Sequence, residues 1–267
     1  GNFSILVFRE PDGELKRYLL NDPDFLFSLP QCEIIKDQTK IKVGRVPLEV
    51  GGRVEWIYLK RYNAFSWRYR LGSFFVQSPA MRSWNGAETL MHAGFLTGEP
   101  IASVEHRSWG MLTKSFYLSK EIPEGKTLDI YWRYEVLPVR GAEGFRMRRK
   151  LLKSLARVFR SLHEHGIYHN DLKDVNIVVS GGEGHSFYLL DLEGVRRYRH
   201  LKKRRQIKNL VQLSRTMDRF MRRVEKLYWL KEYLGDAFFD RRTKRRWIRR
   251  VLRESRRADR RKSLYRE

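Results

Sequence analysis

The sequence predicts an α+β chain in two parts, strand-rich first and mainly helical second. Three observations carry this. Short β-rich runs alternate with turns from Glu33 to Lys60 and resume at Ile101–His106 and Ser115–Lys120. The stretch Glu121-Ile122-Pro123-Glu124-Gly125 then breaks the pattern with Pro and Gly. Beyond it the apolar residues take up helical spacing, interrupted by one hairpin between residues 167 and 194. On this reading residues 1–120 form the strand-rich part, 121–240 the helical part, and 241–267 a basic C-terminal helix or tail.

Composition sets the outer bounds. A chain of 267 residues with 42% hydrophobic content can bury a full core. The formal net charge of +24 should attract polyanions, whether nucleic acid, an anionic membrane, or a phosphorylated or acidic substrate. No zinc-finger, RNP or helix-turn-helix pattern accompanies that charge, so nucleic acid is not the expected partner. The one cysteine, Cys32, excludes an internal disulfide framework and fits a reducing compartment. No apolar run approaches the ~18–20 residues of a membrane span. No secretory signal is visible, and Gly1 in place of Met is what a trimmed or tagged chain would show, so a lost leader stays open.

Taken in order, the first thirty residues show aromatic clusters without a clean period and read as a short strand pair or cap. Glu33–Lys36 and Lys40–Val43 are short strands. Val46–Val50 and Arg53–Arg61 then bracket Gly51-Gly52, a two-residue hairpin turn. Alternate residues of a strand share a face, so Lys60 lies on the side of Trp56 and Tyr58. A helix follows Pro79 and carries Glu88, and strands are expected at Ile101–His106 and Ser115–Lys120. Thr127 onward reads as helix to about Pro138, with Arg140-Gly141-Ala142-Glu143-Gly144 as a loop. Leu151, Leu152, Leu155, Val158, Phe159 and Leu162 then recur on one helical face. That helix ends at His163-Glu164-His165-Gly166, where the two histidines read as favouring the negative end of the helix dipole rather than as metal ligands. After residue 194, Arg196–Arg205 forms a basic run. Helical spacing resumes through Ile207, Leu210, Val211, Ser214, Met217, Met221 and Val224. In the tail from Arg241 to Arg266, Trp247, Ile248, Val251 and Leu252 form a thin apolar stripe, compatible with a helix on an anionic surface or with a final packed helix.

The densest chemistry lies in residues 167–194. Ile177-Val178-Val179 and Phe187–Leu190 flank the turn Gly181-Gly182-Glu183-Gly184, which reads as a hairpin. A hairpin brings its outer ends together, so Asp171, Asn176 and Asp191 should converge. Two carboxylates and an amide are hard oxygen donors that suit Mg²⁺, which takes few protein ligands beside substrate phosphates.

This stretch resembles the catalytic and metal-binding segments of the protein-kinase-like superfamily, H-R-D-x-K-x-x-N, a hairpin, then D-F-G. Asp171, Lys173, Asn176, Asp191 and Gly194 match in order and spacing. Asn170 stands for the Arg, Asp174 for the usual Pro, and Leu192-Glu193 for the Phe. Together with Tyr58–Tyr62 (YLKRY) and the basic run after LLDLEGVR, the chain is similar to the bacterial lipopolysaccharide core kinase family, the Kdo/WaaP group, over roughly residues 33–225.

The resemblance implies a two-lobed kinase-like fold that uses ATP and Mg²⁺. It assigns Asp171 to the acceptor's proton and Lys173 to charge on the transferred group. Asn176 and Asp191 would hold the metal. Lys60, steadied by Glu88, would grip the nucleotide phosphates, and the backbone at Glu121 and Ile122 would meet the adenine edge. No G-x-G-x-x-G precedes Lys60, so Gln38-Thr39-Lys40 takes its place, with Lys40 the candidate phosphate donor or simply part of a polar turn. Tyr58 departs from the small residue usual two positions before the lysine. The implied acceptor is a Kdo or heptose hydroxyl on lipid A-linked core at the cytoplasmic face of the inner membrane. Alternatives are a kinase of the same fold acting on a protein or other small molecule, and a pseudokinase binding an anionic surface or nucleic acid.

Overall fold

The computed structural model describes residues 2–8, 13–64, 66–181 and 185–264. Most of the expected Gly181–Gly184 turn, residues 182–184, and the last residues of the basic tail lie outside that set. The chain divides into two compact units. The first comprises residues 1–123 together with 191–194, and the second residues 124–190 and 195–267.

The first unit is built on strands β1 (Asn2–Phe8), β2 (Glu33–Asp37), β3 (Ile41–Val50), β4 (Arg53–Asn63), β5 (Pro100–Ser108) and β6 (Met111–Lys120). They form one antiparallel sheet in the order β1-β5-β6-β4-β3-β2. Helices α1 (Gly13–Asn21), α2 (Trp67–Gly72) and α3 (Pro79–His92) complete it. Where a strand pair or cap was expected at the start, one strand, β1, forms and pairs with β5, and α1 follows, because Leu15 and Leu19 fall one turn apart and bury together with Leu26. Strand alternation then sorts the two faces of the sheet. Ile57, Leu59, Phe116 and Leu118 pack toward α1, whereas Tyr62 and Tyr117 pack with Ala80 and Trp84 of α3. Helix α3 starts where Pro79 presets the first turn and Ser78 Oγ caps it, accepting from the Met81 N–H at 3.0 Å.

The second unit contains β7 (Lys126–Thr127), α4 (Leu128–Tyr131), α5 (Gly141–Glu164), β8 (Ile167–His169), β9 (Ile177–Ser180), β10 (Ser186–Leu189) and β11 (Val195–Arg197). Helices α6 (Lys203–Thr216), α7 (Arg223–Leu234) and α8 (Arg241–Leu264) follow. The stripe Leu151, Leu152, Leu155, Phe159 and Leu162 of α5 is fully buried, as its spacing requires. Residues 141–144, expected as a loop, are instead the first turn of α5. Gly144 tolerates the entry because its missing Cβ would lie 2.0 Å from the Val139 carbonyl oxygen.

The stripe read across residues 207–224 is two helices. A 3₁₀ turn at Met217–Arg219 ends α6, so Val224 opens α7 on a new face and is exposed. The basic run 196–205 likewise splits, into β11 paired with β8 and the start of α6. Helix α8 is anchored rather than loose. Trp247 is buried edge-on to Tyr233, and Asp259 takes Arg215 of α6 at 2.8 Å.

Candidate active site

In the first unit, Lys60 sits on the face of β4 that looks toward α3. The segment 191–194 belongs to the same face, because Leu192 is buried and its backbone runs directly over Gly86 of α3. A Cβ on Gly86 would lie 2.3 Å from the Leu192 carbonyl oxygen, so only glycine admits this approach. Arg82, one turn earlier on α3, fixes the same segment through Glu193, Nη2 to Oε2 at 3.1 Å. Asp191 itself takes a left-handed backbone, φ +59°. Asp tolerates that region better than most residues, at some strain.

Burial pulls the Lys60 ammonium below its usual pKa, and the carboxylates of Asp191 and Glu193 oppose it. The 191–194 segment thus supplies countercharge to Lys60. Glu88, expected as its partner, has its carboxylate 3.6 Å from the ring of His92, one turn along. Behind Lys60, Tyr62 is buried with its hydroxyl 3.3 Å from Ser83 Oγ, and burial raises its pKa.

Lys40 is exposed in the three-residue connection between β2 and β3. There Gln38 and Ile41 exchange backbone bonds at 2.9 and 3.1 Å, and the Thr39 and Lys40 carbonyls accept from Asn63. The Glu121 side chain is bound by Arg45 through two bonds of 2.9 Å, and Arg45 stacks 3.7 Å over Trp56. Its main-chain N–H is spent on the Trp56 carbonyl at 2.7 Å, and that of Lys120 on Glu99 at 2.9 Å. The remaining main-chain donor of the expected 120–122 stretch is Ile122.

The second unit brings Asp171, Lys173 and Asn176 together. Lys173 Nζ lies 2.7 Å from Asp171 Oδ2. Asn176 Nδ2 donates to the Asp171 carbonyl at 2.8 Å and to its Oδ2 at 3.1 Å. With the amide nitrogen so engaged, Oδ1 of Asn176 is the atom left to meet a cation. The hairpin β9–β10 forms as read, and it closes where the Leu190 N–H donates to the Asn176 carbonyl at 2.9 Å. His169 bridges the two strands of chain that meet here. Its Nε2 donates to the Leu190 carbonyl at 2.8 Å and its Nδ1 accepts from the Asp171 N–H at 3.2 Å.

Three side chains of α6 hold this loop from behind. Asn209 donates to the His169 carbonyl at 2.5 Å, Gln212 to the Asn170 carbonyl at 2.5 Å, and Lys208 to Asn170 Oδ1 at 3.0 Å. Asp174 is buried, accepts from the Val175 N–H at 3.0 Å and faces Arg219 at 3.4 Å. The sequence reading missed these anchors, along with Arg82, Gly86 and Glu193. The available signals were Asn209, a lone amide inside an apolar stripe, and the i,i+4 spacing of Arg82 and Gly86.

His163 is not a charged helix-end residue. It is buried, hydrogen-bonded to Tyr233 and Asn209, and burial pushes its pKa down to about 4. Among the described residues no cluster of three or more His, Cys, Asp or Glu could hold a metal alone. An amide oxygen such as Asn176 Oδ1 and a carboxylate such as that of Asp191 are the kinds of hard oxygen that suit Mg²⁺.

The sequence profile of the lipopolysaccharide kinase (Kdo/WaaP) family matches residues 52–238, more than half of the chain. No curated protein matches the chain. Among solved structures, one described as WaaP in complex with acyl carrier protein is similar, with a TM-score of 0.65. It is 22% identical, and the match covers 95% of this chain and 98% of that one. At that identity the likeness speaks to the fold, the two-part kinase-like α+β architecture. A Stt7 homologue from Micromonas algae, soaked with ATP, matches at a TM-score of 0.45 and 16% identity, over 72% of this chain and 53% of that one. That likeness is too distant to argue from.

Proposed function

The chain belongs to the lipopolysaccharide kinase (Kdo/WaaP) family, and from that premise we propose that it transfers a phosphoryl group from ATP to a Kdo or heptose hydroxyl of the lipopolysaccharide inner core. The observation that carries the site assignment is the Asp171 carboxylate, held at once by Lys173 and Asn176. Phosphoryl transfer asks a protein for positioning and charge neutralisation. Asp171 orients the acceptor hydroxyl and accepts its proton late, since a sugar hydroxyl is too weakly acidic to ionise at neutral pH. Lys173, on the same oxygen, meets charge on the transferring group.

Asn176 Oδ1 and the Asp191 carboxylate are the oxygens offered to Mg²⁺, which when bound would neutralise phosphate charge. Lys60 grips the phosphates, and Glu88 is the proposed further carboxylate that steadies it. Lys40, at its exposed turn, would add a donor where a glycine-rich loop would be. Ile122 N–H and the Glu121 carbonyl serve the adenine edge.

The acceptor is anionic and lipid-linked, which gives the net charge of +24 a use. No helix among the described residues is long and apolar enough to cross a membrane, and we assign the chain a peripheral place at the inner face of the inner membrane. Association with acyl carrier protein, described for the WaaP structure, is a partner that co-purification would test for this chain.

The deciding experiment incubates the purified protein with labelled ATP and isolated lipid A–core acceptor, with fragment mass spectrometry to locate the phosphate. Transfer by the wild type, abolished in Asp171→Ala and Asp191→Ala variants that stay folded, is the expected result. Turnover near wild type in either variant sinks the site assignment, and label on another acceptor only sinks the lipopolysaccharide reading.

A further inference from the structure

One set of apolar side chains in the first unit faces water. Helix α2 and the turn after it expose Trp67, Leu71, Phe74, Phe75 and Val76, and the β5–β6 hairpin exposes Trp109. Phe75 is 92% exposed and Trp109 is 76% exposed. Singly exposed apolar residues are ordinary, but a contiguous group of aromatic ones marks a docking surface. Contiguity is direct here. The Phe74 ring lies on Gly110, where an added Cβ would come within 2.6 Å of its Cε1, and Gly110 is the neighbour of Trp109.

The segment is fixed by the sheet. Arg107 Nη1 donates to the Ser73 carbonyl at 3.2 Å and to the Gly110 carbonyl at 2.9 Å. Ser73 Oγ accepts from the Leu112 N–H at 2.8 Å, and the Ser78 N–H donates to Glu105 Oε1 at 3.3 Å. Arg107 is itself held by Glu105 at 2.8 Å. Both ends of residues 73–78 are thus pinned by buried polar groups while the aromatic side chains between them stay in water. Trp109 and Gly110 have φ of +51° and +77°, the signature of a type I′ hairpin turn. Asn or Gly fits that first position, and a bulky indole is an uncommon occupant.

Resting on the reading that the acceptor is lipid-linked, we propose that this aromatic face is where the chain docks on an anionic phospholipid bilayer. Trp, Phe and Leu side chains partition into the headgroup boundary, and basic residues beside them are drawn to anionic lipid. Charge complementarity favours that occupant. Between Asn63 and Ala80 the sequence has two arginines and no Asp or Glu, in a chain of net charge +24.

The test is flotation of the full chain with vesicles of phosphatidylethanolamine and phosphatidylglycerol at about 3:1 in about 0.15 M salt, where weak surface charge effects are screened. Wild type floats. The Phe75→Ser, Trp109→Ser double variant, altered only at exposed positions, keeps its melting temperature and loses roughly tenfold in partition per aromatic group removed. Its transfer to a soluble, deacylated acceptor fragment stays at the wild-type rate. A wild type that does not float, or a double variant that floats as well, overturns the proposal. So does wild-type self-association or capture of an acidic carrier protein that the double substitution abolishes without changing flotation. Failure of both proteins to phosphorylate the soluble fragment would defeat the kinase reading while leaving the flotation result to stand by itself.

Discussion

Arg82 Nη2 lies 3.1 Å from Glu193 Oε2, and Nη1 of the same guanidinium donates to the Gln77 carbonyl at 2.6 Å. The arginine therefore ties the first turns of α3 to the segment that carries Asp191. Both side chains are partly open to water, so the pair contributes at most about 1 kcal/mol to folding. Its effect is placement. Arg82→Met should lower kcat by roughly ten- to hundredfold, the cost of moving a reacting group by about 1 Å. Unfolding free energy should shift by less than about 1 kcal/mol. Initial-rate kinetics beside urea titrations check this, and an unchanged kcat would reduce the pair to surface decoration.

Gly86 gives the same contact a steric test. In most helix interiors Gly→Ala stabilises by roughly 0.5–1 kcal/mol. Here the new methyl would meet the Leu192 carbonyl oxygen at 2.3 Å. Gly86→Ala should instead destabilise by about 1–3 kcal/mol, the usual result of overpacking, with a larger loss of kcat than Arg82→Met. Thermal melts and rates on one preparation decide it. A more stable, fully active variant would mean that α3 and the 191–194 segment separate at no cost.

Legibility in the sequence followed the range of the interactions. Strand alternation placed Lys60 on the face of Trp56 and Tyr58, and the α5 stripe is buried as spacing required, because both are local periodicities. The 167–194 motif showed that Asp171, Lys173 and Asn176 cluster, since they lie within a few residues of each other. What could not be read were contacts across many residues, such as Arg82 with Glu193 or Asn209 with the His169 carbonyl. Glu193, two residues after Asp191, looked like a simple departure, yet its carboxylate bonds Arg82 and supports the Lys60 ammonium. Residues 141–144 misled because glycine is ordinarily a breaker, whereas Gly144 is needed for a close approach to Val139. His163 misled because a helix-end histidine is ordinarily wet, and nothing local showed that Tyr233 and Asn209 would enclose it.

The charge around Lys60 makes a kinetic prediction. Burial lowers its pKa, and Asp191 and Glu193 hold it up against that pull. Removing a negative charge removes part of the support, so Glu193→Gln should lower the Lys60 pKa further. If the ammonium is the form that grips phosphate, activity is lost as pH rises through that pKa. The alkaline limb of kcat/KM should therefore move to lower pH in the variant. A limb that stays in place would assign it to another group and leave Lys60 without a kinetic role.

His163 makes the corresponding prediction for stability in acid. Tyr233 Oη lies 2.8 Å from Nδ1, and Asn209 Oδ1, which can only accept, lies 3.2 Å from Nε2. Nε2 therefore carries the ring proton, Nδ1 accepts from the tyrosine, and the ring is neutral. Burial, opposed by the Asn209 bond, takes its pKa from 6.5 down to about 4. Between those values the unfolded chain binds a proton that the folded chain refuses. The contribution is whole above about pH 6.5, is lost progressively as pH falls toward 4, and amounts to roughly 3 kcal/mol at most. Urea unfolding of wild type should show this fall. His163→Gln should start about 1–3 kcal/mol less stable at neutral pH, having lost part of the buried pairing, and should lose less as the pH drops, so the two curves converge. Asn209 also holds the His169 carbonyl, so wild-type transfer should fail over the same acid range before the chain unfolds globally. Parallel pH curves for the two proteins would move the acid sensitivity elsewhere.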